Sequence, residues 1–127
     1  AGYVATNLLH GEFKQVREKD IRDLVKKGAC IIDVREKKEY ELSHIIGAKN
    51  IPLSEIRQRI NEIPKDEPVY LQCRSAQRSY NALMALKHLG YENVYNVSGG
   101  FMGISFYEYF NDVTTGREKI VTDYNFR

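Results

Sequence analysis

The chain predicts an α/β domain with a mostly parallel central sheet flanked by helices on both faces. Two short apolar runs, residues 29–34 and 68–72, have the composition of strands buried on both sides of a sheet. Segments of helical period alternate with them. Glycine or proline stands where each segment should stop. Strand and helix signals in quick alternation argue for parallel pairing with right-handed crossovers, which put helices on both faces. Ligands in such sheets bind at the carboxyl ends of the strands.

The elements follow in order. Residues 1–11 put Val4 and Leu8 on one helical face, with Gly11 as the stop. Residues 18–27 put Ile21, Leu24 and Val25 on one face, and Gly28 ends that helix. The run 29–34 is a strand that ends near Asp33. Ile56, Ile60 and Ile63 recur at helical spacing, with Ser54 as N-cap and Pro64 as stop. Residues 68–72 form a strand that leads into Cys73, and residues 77–89 a helix with Leu83, Leu86 and Leu89 on one face. Residues 93–97 are a third strand, ending before Ser98 and the Gly99–Gly100 pair. Residues 101–110, dense in Phe and Tyr, read as a final packed helix, and 111–127 lack a clear period.

Composition narrows the function. With 127 residues, 43% hydrophobic and 28% charged, the chain fits one globular domain with its own core. A net charge of +2 is too small to mark a nucleic-acid binder, and Lys37, Lys38, Arg57 and Arg59 read as solvated surface. No apolar run approaches the about 20 residues that cross a bilayer, so no membrane association is expected, and no signal peptide is recognisable at the start. Cys30 and Cys73 have neither CxxC spacing nor a histidine at ligand spacing, so no metal is expected. Free thiols without a leader point to a reducing, cytoplasmic setting.

The chemistry gathers at Cys73. Cys73, Arg74, Ser75, Ala76, Gln77, Arg78 and Ser79 lie between a predicted strand and a predicted helix. A short loop entering a helix aims several backbone N–H groups at one point, and the helix start adds about half a positive charge. Arg74 and Arg78 bring permanent cations. A cysteine there should be a thiolate near neutral pH, and nucleophilic. The competing reading makes Cys73 a small buried hydrophobe with surface arginines beside it. Cys30, inside an apolar strand, reads as structural. His44 reads as a histidine that fixes a loop, with proton transfer as the alternative. Asp33 and Arg35 read as structural hydrogen-bonding groups, with a bearing on the active loop as the alternative, and His10 and His88 read as helix-end residues.

At these residues the chain resembles the rhodanese, or sulfurtransferase, family. Four segments carry the likeness in family order: 31–36 (Ile-Ile-Asp-Val-Arg-Glu), 44–53 (His-Ile-Ile-Gly-Ala-Lys-Asn-Ile-Pro-Leu), 73–79 (Cys-Arg-Ser-Ala-Gln-Arg-Ser), and 90–94 with Gly99–Gly100. The resemblance implies a rhodanese-like fold over residues 12–112, with 113–127 as a C-terminal tail. It implies a Cys73 persulfide, formed from a small sulfur donor and discharged to a thiol acceptor or cyanide, with residues 74–78 as the cradle. The six residues from Cys73 to Arg78 match the sulfur-handling loop, whereas related phosphatases of this fold use a loop one residue longer. Ala76 stands where many members carry glycine; if that position needs positive φ, alanine costs about 1 kcal/mol.

Residues 1–7 resemble the end of a flavin-dependent pyridine-nucleotide disulfide reductase, and 104–110 with 122–126 the end of coenzyme A disulfide reductases fused to a rhodanese domain. That likeness implies an excised C-terminal domain, with 1–11 the tail of an upstream reductase and coenzyme A persulfide or polysulfide as partner. FAD and NAD(P)H would belong only to the reductase; this chain has no GxGxxG and needs no cofactor of its own. The rivals are a phosphatase or arsenate-reductase-like enzyme using the same cysteine, and a non-catalytic sulfur carrier within a larger chain.

Overall fold

Residues 14–125 are described by the structure, a computed structural model. The short helix expected over 1–11, His10 and the end of the C-terminal resemblance at Phe126 lie outside them. The strands are β1 (Lys14–Val16), β2 (Cys30–Asp33), β3 (Lys49–Asn50), β4 (Val69–Gln72) and β5 (Val94–Val97). They form one sheet in the order β1-β5-β4-β2-β3, and every pairing is parallel. The α-helices are α1 (Ile21–Lys26), α2 (Lys37–Leu42), α3 (Gln77–His88) and α4 (Gly100–Thr115).

The alternation of side chains along each strand divides the interior in two. On one face Ile32, Val34, Leu71 and Val94 pack with Ala82, Leu83 and Leu86 of α3. On the other Ile31 and Val97 pack with Ile21 of α1 and with Phe101 and Ile104 of α4. Burying each Leu or Ile contributes about 2 kcal/mol. Helices therefore cover both faces, as the strand composition predicts. Among the described residues no helix is long and apolar enough to cross a membrane.

Three expectations change. The helix expected around Ile56, Ile60 and Ile63 is a pair of 3-10 turns, Leu53–Glu55 and Ile60–Glu62, and Ser54 lies inside the first instead of capping a helix. The β-branched isoleucines lose side-chain freedom in a helix, which weakens that option here. Burial of Ile56 and Ile63 takes precedence. Helix α2 has no counterpart in the sequence reading, because its six residues show no apolar period and Leu42 stays exposed. Cys30 is half-buried at the start of β2, not enclosed; its thiol is still pushed up, first by burial and then by Glu67.

The aperiodic C-terminal stretch has a definite place. Helix α4 runs through Thr115, beyond the helix expected over 101–110. Beyond it Ile120 and Val121 are buried, and Val121 bridges Ile45. A charge network pins this return. Glu108, fully buried, accepts from Arg22 of α1 at 2.7 Å and from Arg117 at 3.1 Å. Asp112 accepts from both arginines and from the Tyr124 hydroxyl. The Tyr124 phenol is pushed up to about 12, by burial first and then by that bond.

A second buried pair closes the end of β2. Arg35 and Asp33 are 1% and 0% exposed and meet at 2.7 Å. Arg35 also donates to the Ser43 carbonyl at 2.7 Å and lies 4.4 Å over the Phe101 ring. The role is structural, as the sequence suggests for both residues. Arg35→Met should therefore lower unfolding stability by about 3–5 kcal/mol, because it strands the Asp33 carboxylate in the interior. Urea unfolding measures this, and Asp33→Asn combined with Arg35→Met should cost less than the two single losses added together.

Candidate active site

Strand β4 ends at Gln72 and delivers Cys73 to the carboxyl edge of the sheet, between its neighbours β2 and β5. Cys73 is 1% exposed and belongs to the core beneath α3. The chain then turns through Arg74, Ser75 and Ala76 into α3. Ala76 is the N-cap and takes a left-handed conformation, φ +95°. It is the one non-glycine residue with positive φ among the described residues. The strain anticipated at this position is present, about 1 kcal/mol or more. The same turn aims the Ala76 N–H at the Cys73 sulfur, at 3.0 Å. The Ser79 N–H reaches it at 3.3 Å and the Ser79 hydroxyl oxygen lies at 3.4 Å. Two amides at a helix start thus converge on one sulfur and donate to it.

The other expected residues occupy distinct positions. Arg74, Ser75 and Gln77 are exposed. The Gln77 side chain donates along the helix to Asn81 at 3.4 Å instead of turning toward the sulfur. Arg78 makes a two-pronged ion pair with Glu39 of α2, at 2.7 and 2.9 Å. The Arg78 bond holds the Glu39 carboxyl down at about 2, against the opposing effect of its partial burial. The cation expected from Arg78 is therefore partly offset. His44 sits elsewhere: its Nδ1 meets the Tyr40 carbonyl at 2.8 Å and its ring stacks on Tyr40. Its backbone pairs with Thr122, so it fixes a loop.

Several contributors escape a reading by motif. Asn96 of β5 receives the Ser79 hydroxyl on Oδ1 and extends Nδ2 toward the Ala76 carbonyl, at 3.4 Å. Its one signal is a polar residue at a core-facing position of an apolar strand. Gln72 donates to the Cys73 carbonyl at 2.8 Å. The first amides of α4 brace the loop from behind: Phe101 N–H donates to the Cys73 carbonyl at 2.6 Å and Met102 N–H to the Arg74 carbonyl at 3.0 Å. Gly100 permits this approach, since a Cβ there would lie 2.5 Å from both carbonyl oxygens. Among the described residues no three His, Cys, Asp or Glu side chains gather to hold a metal.

Such a site can present a nucleophilic sulfur to a small reactant and stabilise negative charge on it through fixed dipoles. Comparison with known proteins agrees on the family. The model of the rhodanese-like domain matches residues 17–106. The Bacillus subtilis protein YqhL, uncharacterized, is 48% identical over 88 residues, 69% of each chain. The thiosulfate sulfurtransferase GlpE of Pseudomonas fluorescens is 31% identical over 71% of this chain and 83% of its own. The crystal structure of reduced Bacillus anthracis CoADR-RHD superposes with TM-score 0.73 at 41% identity. That match covers 79% of this chain and only 18% of the other, so this chain spans a small part of that protein.

Two outcomes are expected from the geometry. Gly100→Ala should destabilise the fold and loosen the loop, lowering the urea midpoint and slowing Cys73 alkylation together. Glu39 has a folded value of about 2 against an ordinary 4.5, so the stability it contributes is full above pH 4.5 and is lost as pH falls toward 2. Thermal melts across that window should show Glu39→Gln losing less stability with acid than the parent.

Proposed function

This chain belongs to the rhodanese-like domain family, and on that premise we propose that it is a sulfurtransferase domain in which Cys73 carries sulfane sulfur. The observation that carries the reading is the pair of amide N–H groups, 3.0 and 3.3 Å from the Cys73 sulfur at the start of α3. They suit a thiolate, and equally the terminal sulfur anion of a persulfide. The sequence relationship to GlpE, named a thiosulfate sulfurtransferase, supports the same chemistry.

The reaction is a double displacement. The Cys73 thiolate attacks the outer sulfur of thiosulfate, a polysulfide or a low-molecular-weight persulfide. A new S–S bond forms as the donor's own S–S bond breaks. The remainder of the donor leaves with the bonding pair, as sulfite or a thiolate. An acceptor thiolate then attacks the outer sulfur of Cys73–S–S⁻, takes it away, and restores the Cys73 thiolate. Dipoles already oriented toward the sulfur stabilise the charge without reorganising. The Ala76 and Ser79 amides do this directly, while Arg74, Ser75, Gln77 and Arg78 border the entry.

The physiological partner is a coenzyme A persulfide or polysulfide handled together with a fused flavin reductase. The identity of 41% to a segment amounting to 18% of the CoADR-RHD chain supports this assignment.

Incubation with thiosulfate, polysulfide or coenzyme A persulfide should add one sulfur atom to the intact mass. Cys73→Ser or prior iodoacetamide treatment should abolish the addition; a Cys73→Ser protein that still gains sulfur would refute the assignment. Arg74→Ala should raise KM for thiosulfate by about tenfold, the worth of one charge-assisted contact. Arg78→Ala should raise it less, because Glu39 already offsets that charge. Equal KM values for both variants and the parent would remove the arginines from donor binding.

A further inference from the structure

We propose that Asn96 is a positioning residue that governs the nucleophile by holding the hydroxyl proton of Ser79 away from the Cys73 sulfur. The proposal rests on the assignment of Cys73 as the sulfur carrier and adds a residue to that site.

The argument begins with one proton and three acceptors. Ser79, fully buried, has a single O–H. Within reach of its oxygen are Asn96 Oδ1, the Ala76 carbonyl at 3.1 Å and the Cys73 sulfur at 3.4 Å. The Ala76 carbonyl already accepts the Tyr80 N–H at 3.0 Å and faces Asn96 Nδ2 at 3.4 Å. That carbonyl also decides which way the Asn96 amide points. The reversed amide would set two oxygens against each other, so Nδ2 faces Ala76 and Oδ1 faces Ser79. Asn96 Oδ1, buried and closest, takes the hydroxyl proton.

The consequence falls on the sulfur. With its proton turned to Asn96, Ser79 presents a lone pair to Cys73. A protonated thiol can donate to that lone pair; a thiolate or persulfide anion cannot. To support the anion the hydroxyl must turn its proton to the sulfur and leave Asn96. Asn96 thereby opposes the third donor of the cradle, while the two amides stay in place. Residue 96 thus sets how readily the site passes between its protonated and anionic sulfur forms. The charged groups around the sulfur are Arg74 of the loop, Arg78 of α3 with Glu39 of α2, and the Asp33–Arg35 pair one strand away. None of them bonds to Asn96 or Ser79, so a change at residue 96 leaves them in place.

The test is the pH profile of iodoacetamide alkylation of Cys73, read by mass spectrometry beside sulfur loading from thiosulfate. Asn96→Ala frees the hydroxyl, and its half-maximal point should move about one unit toward acid, a tenfold gain in rate on the acid limb. Ser79→Ala and the double variant Ser79→Ala with Asn96→Ala should have coincident profiles, because the effect passes through the hydroxyl. If circular dichroism shows that Asn96→Ala does not fold, Asn96→Leu, closer in volume, carries the same test. An unmoved profile, or a shift that persists without the Ser79 hydroxyl, overturns the role of Asn96. Failure of the parent protein to load sulfur overturns the sulfurtransferase reading instead, and the alkylation profiles still decide the role of Asn96.

Discussion

The N–H of Phe101 on the Cys73 carbonyl, at 2.6 Å, and that of Met102 on the Arg74 carbonyl, at 3.0 Å, hold the Cys73 loop from behind. They belong to the first turn of α4, where amides have no partner inside their own helix. The loop carbonyls need donors for the same reason that all buried backbone groups do. Each therefore satisfies the other, and the loop is pressed toward α3 with its own amides facing forward. Gly100 makes the approach possible. Ala76 accepts a left-handed conformation so that the turn can finish. The hydrogen bonds that position the sulfur thus extend back to a helix on the opposite face of the sheet.

The electrostatics of the site follow from what is paired. Arg78 is matched to Glu39, and Arg35 to Asp33. Amide dipoles, unlike side chains, do not titrate and are held by the backbone. The two amides at the Cys73 sulfur therefore keep their orientation whatever the ionisation of Glu39, which is held down at about 2 by Arg78. The paired arginines tie elements together: Arg78 joins α3 to α2 through Glu39. Arg35 ties β2 to the Ser43 carbonyl and to Phe101, beside the amide that braces Cys73.

Much of the fold was legible because burial on two faces requires unbroken apolar strands, and residues 30–33 and 69–72 have that character. Helix α3 was legible from its leucine spacing and its glycine stop. Cys73 stood out because a cysteine ending an apolar strand, followed by two arginines at a helix start, has few purely structural explanations. What escaped were features without a period. Helix α2 is six residues long with no apolar stripe, and the tail after Thr115 is held by Arg22, Glu108, Asp112 and Tyr124, far apart in the chain. The isoleucines at 56, 60 and 63 had a helical period, yet their segment is built of 3-10 turns that bury Ile56 and Ile63.

By itself the sequence determined the class of fold, the strand-to-helix placement of Cys73 and the place of Ser79 at the start of the following helix. These follow from local rules of periodicity, capping and chain direction. Only the tertiary structure decided that Asn96 of β5 would hold Ser79, that Glu39 would neutralise Arg78, and that α4 would brace the loop. Each of these joins groups from separate elements. Their meeting depends on strand order and helix docking, which no local pattern of residues encodes.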